Sequence, residues 1–113
     1  MDKLTQYRTV VKKVLQQYAD FENRALPNDL ESHLIIDETH DRYMLFRVGW
    51  RGKNRINTPV LYLHLKNNKI WIEEDWTEDG IATDLLRADI VNRDIVLAFH
   101  HPDKRSYTEF AVA

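Results

Sequence analysis

The hydrophobic period of this chain switches from helical to alternating near residue 30, and that change restricts its possible folds more than any other feature. Up to residue 21 the apolar side chains recur at helical spacing. Leu4, Tyr7, Val11, Val14, Tyr18 and Phe21 follow intervals of three and four, and Val10 and Leu15 widen the stripe. Lys3, Thr5, Gln6, Arg8, Lys12, Lys13, Gln16 and Gln17 occupy the opposite side. The pattern predicts an amphipathic helix over 4–21 that packs one face on its own domain. Asp2 is placed to cap it, with its charge at the positive end of the helix dipole. The stripe spans under three heptads, too few for a sustained coiled coil. Residues 22–31, with Pro27 and Asn28, read as a polar connection and not as a domain boundary.

Beyond that connection the period is two. His33–Asp37 is a short candidate strand, and Thr39, His40 and Asp41 form a turn. Tyr43–Trp50 follows, with Met44, Phe46, Val48 and Trp50 on one face and Tyr43, Leu45 and Arg47 on the other. Gly52 and Asn54 mark the next turn. Val60–Leu65 is a strand. Pro59, which cannot donate to a ladder, puts the segment before it at an edge or a strand start. Asn67-Asn68 suits a two-residue hairpin, because Asn tolerates positive φ. That turn pairs Leu65 with Ile70, Leu63 with Ile72, His64 with Trp71 and Tyr62 with Glu73. The aliphatic set should face the helices, and the aromatic set should stay half-exposed.

Thr77 to Gly80 reads as the start of a second helix near residues 78–88, with Thr77 as its cap and Ile81, Leu85 and Ala88 on its buried side. Ile95–Phe99 is a continuous apolar run, expected as a buried central strand. The apolar ending Phe110–Ala113 should dock on the domain. Together these elements predict an α+β fold: a largely antiparallel sheet of about five strands with two helices packed on it.

The length of 113 residues suits one domain, 1–113. The chain has no cysteine, which excludes disulfides, thiolate zinc sites and a Cys nucleophile and fits a reducing, cytoplasmic setting. It holds no apolar run long enough to span a bilayer, and its start does not read as a signal peptide.

Chemical motifs are sparse. Glu73, Glu74 and Asp75 would alternate across a strand, which splits the cluster. His100 and His101 are adjacent, so on a strand they point apart, and His33, His40 and His64 lack ligand spacing. Ser32 and Ser106 are the only serines and sit in no nucleophile motif. No Walker or dinucleotide glycine pattern occurs. The expectation is a protein without enzymatic activity, cofactor or metal.

Charge is more informative. Arg42, Arg47, Arg51, Lys53 and Arg55 fall in a stretch with no acid, whereas Glu73–Asp89 holds seven acids and one base, Arg87. The basic stretch is interleaved with Tyr43, Phe46 and Trp50, a pattern that could follow a nucleic-acid backbone. A net charge of −2 speaks against general DNA binding. The leading expectation is that the two segments meet across the sheet; a partner surface comes second and direct DNA contact third. Tyr62, His64 and Trp71, on the face opposite the aliphatic one, are the expected interface of a homo-oligomer, most simply a dimer.

Several segments resemble the XisI family, described as fdxN element excision controlling factor proteins. They are MDKLTQYRTVVKKVLQQYA, FRVGW around Gly49, KIWIEEDWTEDGIATDLL and the ending DIVLAFHHPDKRSYTEFAVA. The resemblance covers nearly the whole chain. It implies an accessory factor that works with an XisH-type partner while a separate recombinase excises a DNA element. It carries over no catalytic or ligand residues. The chain departs from the family pattern at Trp76, where a small or turn-forming residue is usual, at Asp89 and Val91, where Gly and Pro are usual, and at Ala98, where Gly is usual. If Asp89 keeps the left-handed conformation of a helix-ending glycine, the cost is about 1 kcal/mol.

Overall fold

The computed structural model describes residues 2–113. Helix α1 (Lys3–Ala25) is capped by Asp2, whose carboxylate accepts from the Thr5 backbone N–H at 2.7 Å. Its buried side holds Tyr7, Val11, Val14, Leu15, Ala19 and Glu22. Phe21, expected on that side, is 56% exposed. The 3-4-3-4-3 spacing has a period of 3.5, and a straight helix drifts about 20° per heptad against it. By the third heptad the inward ridge has moved from Phe21 to Ala19 and Glu22.

The sheet has five strands in sequence order: β1 (Leu30–Asp37), β2 (Arg42–Arg51), β3 (Asn54–Lys66), β4 (Lys69–Asp75) and β5 (Ile95–Leu97). The first four form an antiparallel meander, and β5 pairs parallel to β4. Parallel pairing needs a crossover, and residues 76–94 provide it through helix α2 (Ile81–Arg87) and a 3₁₀ turn at Asn92–Asp94. β5 is therefore an edge strand, not the expected central one, and Phe99 lies outside it, half-exposed. Its apolar run reflects cover from both faces, because Ile95 and Val96 are fully buried and Ala111 bridges to Val96. The expected docking of the C-terminus is thus found.

β1 starts three residues earlier than expected. The Asn67-Asn68 turn has φ of 55° and 59°, as a type I′ hairpin requires, and it sets Leu65↔Ile70, Leu63↔Ile72 and His64↔Trp71. Tyr62 faces Glu74 instead of Glu73, because the register shifts by one residue after Leu63. Pro59 lies at a second irregularity, where Phe46 faces Pro59 and Leu45 faces Leu61. Residues 54–59 pair with β2 alone, since β4 pairing begins at Leu61, so this stretch is an edge.

The second helix begins at Ile81, with Gly80 at the N-cap position and no side-chain cap there. Thr77 is not its cap. Asp75 holds the turn, accepting from the Thr77 N–H at 3.0 Å and from the Ile81 N–H at 2.7 Å. After α2, Asp89 has φ 69°, the left-handed conformation.

Both helices pack on one face of the sheet. Tyr43, Leu45, Leu61, Leu63, Ile70 and Ile72 meet Val11 and Leu15 of α1 and Ile81 and Leu85 of α2 in one core. Burial of each such side chain contributes about 1.5–3 kcal/mol. The opposite face is unlike it. Helix α3 (Pro102–Arg105) and the tail cover its β4–β5 side, where Arg105 lies over the Trp71 ring at 5.7 Å. Over β1–β3 the side chains of Ile35, Met44, Phe46, Val48, Pro59 and Tyr62 remain partly exposed.

Candidate functional site

The five expected basic residues divide three ways. Arg42 starts β2, exposed, with Asp37 and His64 as its register partners on either side. Arg47 points to the helix face and donates to the Glu22 carboxylate, which is 7% exposed. Odd-numbered β2 residues face the helices, and Arg47 falls on that side with Tyr43 and Leu45. Arg51, Lys53 and Arg55 surround the β2–β3 turn, where Gly52 takes φ 64°. All three are exposed, and among the described residues none forms an ion pair. Arg55 lies over its cross-strand partner Trp50 at 5.3 Å, and its Nη1 donates to the Gly49 carbonyl at 3.4 Å. Trp50 is 50% exposed. Arg42 and Arg51 stand nine residues apart on one strand, about 30 Å. The basic segment is therefore no continuous track; its free charge is concentrated at the hairpin tip.

The acidic segment does not meet it. Among the described residues no ion pair joins 42–55 to 73–89. Glu73 Oε2 lies 2.6 Å from His64 Nε2, Glu74 accepts from the Trp76 indole at 3.0 Å, and Asp75 holds the turn before α2. The two segments lie apart because β2 pairs with β1 and β3, whereas the acids sit on β4 and beyond.

Tyr62, His64 and Trp71 do come together. The His64 and Trp71 rings stack at 5.9 Å, and Tyr62 lies 6.1 Å from His64. Trp71 is engaged within the chain. Its indole donates to the Lys66 carbonyl at 3.1 Å, and Lys66 and Arg105 lie over its ring. Arg105 is itself pinned by the carbonyls of Ala98, His100 and Val112.

Two polar clusters escaped sequence reasoning, because each joins residues far apart in the chain. Tyr7 donates its hydroxyl to Asp94, and Lys3 pairs with the same carboxylate at 3.1 Å. Burial pushes the Tyr7 phenol up to about 12, and the hydrogen bond to Asp94 adds to the effect. Burial alone would raise the Asp94 carboxyl; the Tyr7 hydroxyl and Lys3 ammonium outweigh it and hold the carboxyl below its ordinary value. In the second cluster Arg8 donates to Asp41 through two nitrogens, at 2.7 and 3.0 Å, and Tyr43 donates at 3.0 Å. The Arg8 hydrogen bonds lower the Asp41 carboxyl, and burial raises the Tyr43 phenol. The first ties α1 to the 3₁₀ turn before β5, and the second ties it to the β1–β2 turn and β2. Among the described residues no group of three or more His, Asp or Glu side chains is placed to hold a metal ion, and no helix is long and apolar enough to cross a membrane.

The arrangement defines a class: an α+β domain whose polar groups brace a meander sheet and whose free basic and apolar side chains sit on its outside. The chain belongs to the XisI family, whose model, described as XisI protein, matches residues 1–112. Two solved structures are similar over almost the full length. One is the fdxN element excision controlling factor XisI from Anabaena variabilis, 47% identical, with a TM-score of 0.86 over 99% of this chain and 100% of that one. The other, a XisI-like protein from Anabaena variabilis, is 36% identical, with a TM-score of 0.90 over 97% of this chain and 99% of that one. No curated protein matches the chain significantly.

Proposed function

We propose that this protein is a non-enzymatic controlling factor for the excision of a DNA element, acting through an XisH-type protein partner and a separate recombinase. The observation that carries the reading is the full-length match, at 47% identity, to a structure described as an fdxN element excision controlling factor. The non-enzymatic part is supported by what the ionisable groups already do. Asp94, Asp41, Glu22 and Asp75 are each engaged in holding one element to another. The surface offered to the partner is the β2–β3 tip, where Trp50, Arg51, Lys53 and Arg55 combine an aromatic ring with three cations that form no ion pair among the described residues. Trp and Arg are the side chains most enriched as interface anchors.

The test is capture from the native host on tagged protein, with and without nuclease. A protein partner retained after nuclease, and lost with the triple change Arg51→Glu, Lys53→Glu and Arg55→Glu, is the expected result. A catalytic turnover traced to the purified chain would overturn the reading.

The same tip favours a second reading, direct DNA contact, because a two-stranded ribbon with basic side chains fits a DNA groove. Salt separates the two. Binding through several phosphates weakens steeply between about 50 and 200 mM salt, and a partner complex with an apolar centre does not.

A further inference from the structure

The outer face of β1–β3 carries an apolar surface that no described element of the chain covers. Strand pairing arranges it in rows. Asp37, Arg42 and His64 form the first row; Ile35, Met44 and Tyr62 the second; His33, Phe46 and Pro59 the third; Glu31, Val48 and Asn57 the fourth. Trp50 and Arg55 extend it toward the hairpin tip. The three middle rows are apolar through their centre, and Ile35 is 49% exposed. The charges are sorted by strand. The β1 column carries the acids Glu31 and Asp37, with His33 between them 2.9 Å from Glu31; the β2 and β3 columns carry Arg42, Arg55 and His64, the last 2.6 Å from Glu73.

We propose that this face is the interface of a homodimer, in which a second copy packs sheet to sheet about a two-fold axis running along β2. Such an axis lays β2 on β2 and sets β1 of each copy over β3 of the other. Met44, Phe46 and Val48 then meet their own counterparts. Ile35 faces the partner copy's Tyr62 in the second row. In the fourth row the Glu31 carboxylate, 68% exposed, comes within one row of the Arg55 guanidinium, which has no acidic partner among the described residues. Asp37, which lies 2.8 Å from His40 in its own chain, comes over the partner copy's His64 in the first row. An axis across the strands instead puts Arg42 over the tip cations, so the charge pattern selects the first arrangement. Two packed sheets lie about 10 Å apart, aligned within about 30°, a spacing these side chains fill. An isologous contact uses every complementary pair twice. The tail over β4–β5 bounds the interface, leaving Trp71 at its margin and Tyr62 and His64 inside it. The surface shares Trp50 and Arg55 with the partner-binding tip, but sedimentation of the purified chain reads self-association alone, so its failure is distinct from a failure of the function proposed above.

Sedimentation equilibrium on the intact chain at micromolar concentration tests it. The expected mass is twice 13.5 kDa. Ile35→Asp, at a half-exposed position, should keep the circular dichroism of the wild type and sediment as one chain. Glu31→Arg should raise the dissociation constant several-fold, and adding Arg55→Glu to it should restore the wild-type value. A wild-type mass of 13.5 kDa overturns the proposal. So does a folded Ile35→Asp protein that keeps the doubled mass, or a charge reversal that the second change fails to rescue.

Discussion

Glu22 and Arg47 show how much one residue's surroundings decide. Either side chain on a surface would be worth little; here the carboxylate is 7% exposed and held by a guanidinium beneath the helix. Removing one member of a buried pair costs about 3–5 kcal/mol, whereas replacing both by apolar groups of similar size is often neutral or better. Arg47→Met should therefore lower stability by about that amount in urea denaturation, and the double change Glu22→Leu with Arg47→Met should recover most of it. A single variant as stable as the wild type would show that the pair is solvated. The Tyr7–Asp94 contact makes a pH prediction with two limbs. Asp94 has a folded-state value below its ordinary 3.8, so its contribution is complete above about pH 4 and is lost as the pH falls further. Tyr7 is raised from 10.0 to about 12, so its contribution is complete below pH 10 and is lost as the pH rises through about 12. Urea midpoints measured against pH should fall on both sides, and Tyr7→Phe should flatten the alkaline side.

Among the elements, the ends carry the testable constraints. Asp89 ends α2 at φ 69°, a conformation that costs an ordinary residue about 1–2 kcal/mol and glycine nothing. Asp89→Gly should therefore stabilise the domain by about 1 kcal/mol, read as a higher melting temperature. At Gly49 the direction reverses. It sits in β2 at φ 145°, and an added Cβ would lie 2.0 Å from the Asp29 carbonyl oxygen. The Asp29 carbonyl also accepts from the Trp50 N–H at 2.9 Å, so this contact closes the start of β1 onto the end of β2. Gly49→Ala must push the two apart and should cost about 3 kcal/mol or more. A melting temperature unchanged by that substitution would show that the 27–30 turn gives way freely.

At the scale of the whole molecule, interior and exterior separate by sheet face. The helix face holds the core and the bracing pairs; the outer face holds the uncovered apolar surface, and the hairpin tip holds Arg51, Lys53 and Arg55, which form no ion pair among the described residues. Arg51→Glu, Lys53→Glu and Arg55→Glu touch no buried group. Each should change stability by no more than about 0.5 kcal/mol while the combination abolishes partner capture. Loss of fold in the triple variant would mean that the tip is part of the structure and not a docking surface.

Much of this architecture was legible in the chain. The helical stripe with Asp2 before it specifies α1, because a helix end lacks partners for its first N–H groups and an acid supplies one. Asn67-Asn68 specifies the β3–β4 hairpin, and the alternation after it specifies the face, because a one-residue slip would turn every side chain over. What the chain could not show is where separate segments meet. That β5 returns beside β4 as an edge, that Arg47 turns inward to Glu22 while Arg51 stays out, and that Asp94 closes on Tyr7 all depend on contacts between residues far apart in sequence. The same arginine in a row of five reads as surface charge until the sheet places it. Local patterns determine elements because backbone hydrogen bonding and side-chain period act within a few residues. Tertiary packing decides the rest, because the environment of a charge is set by what folds over it.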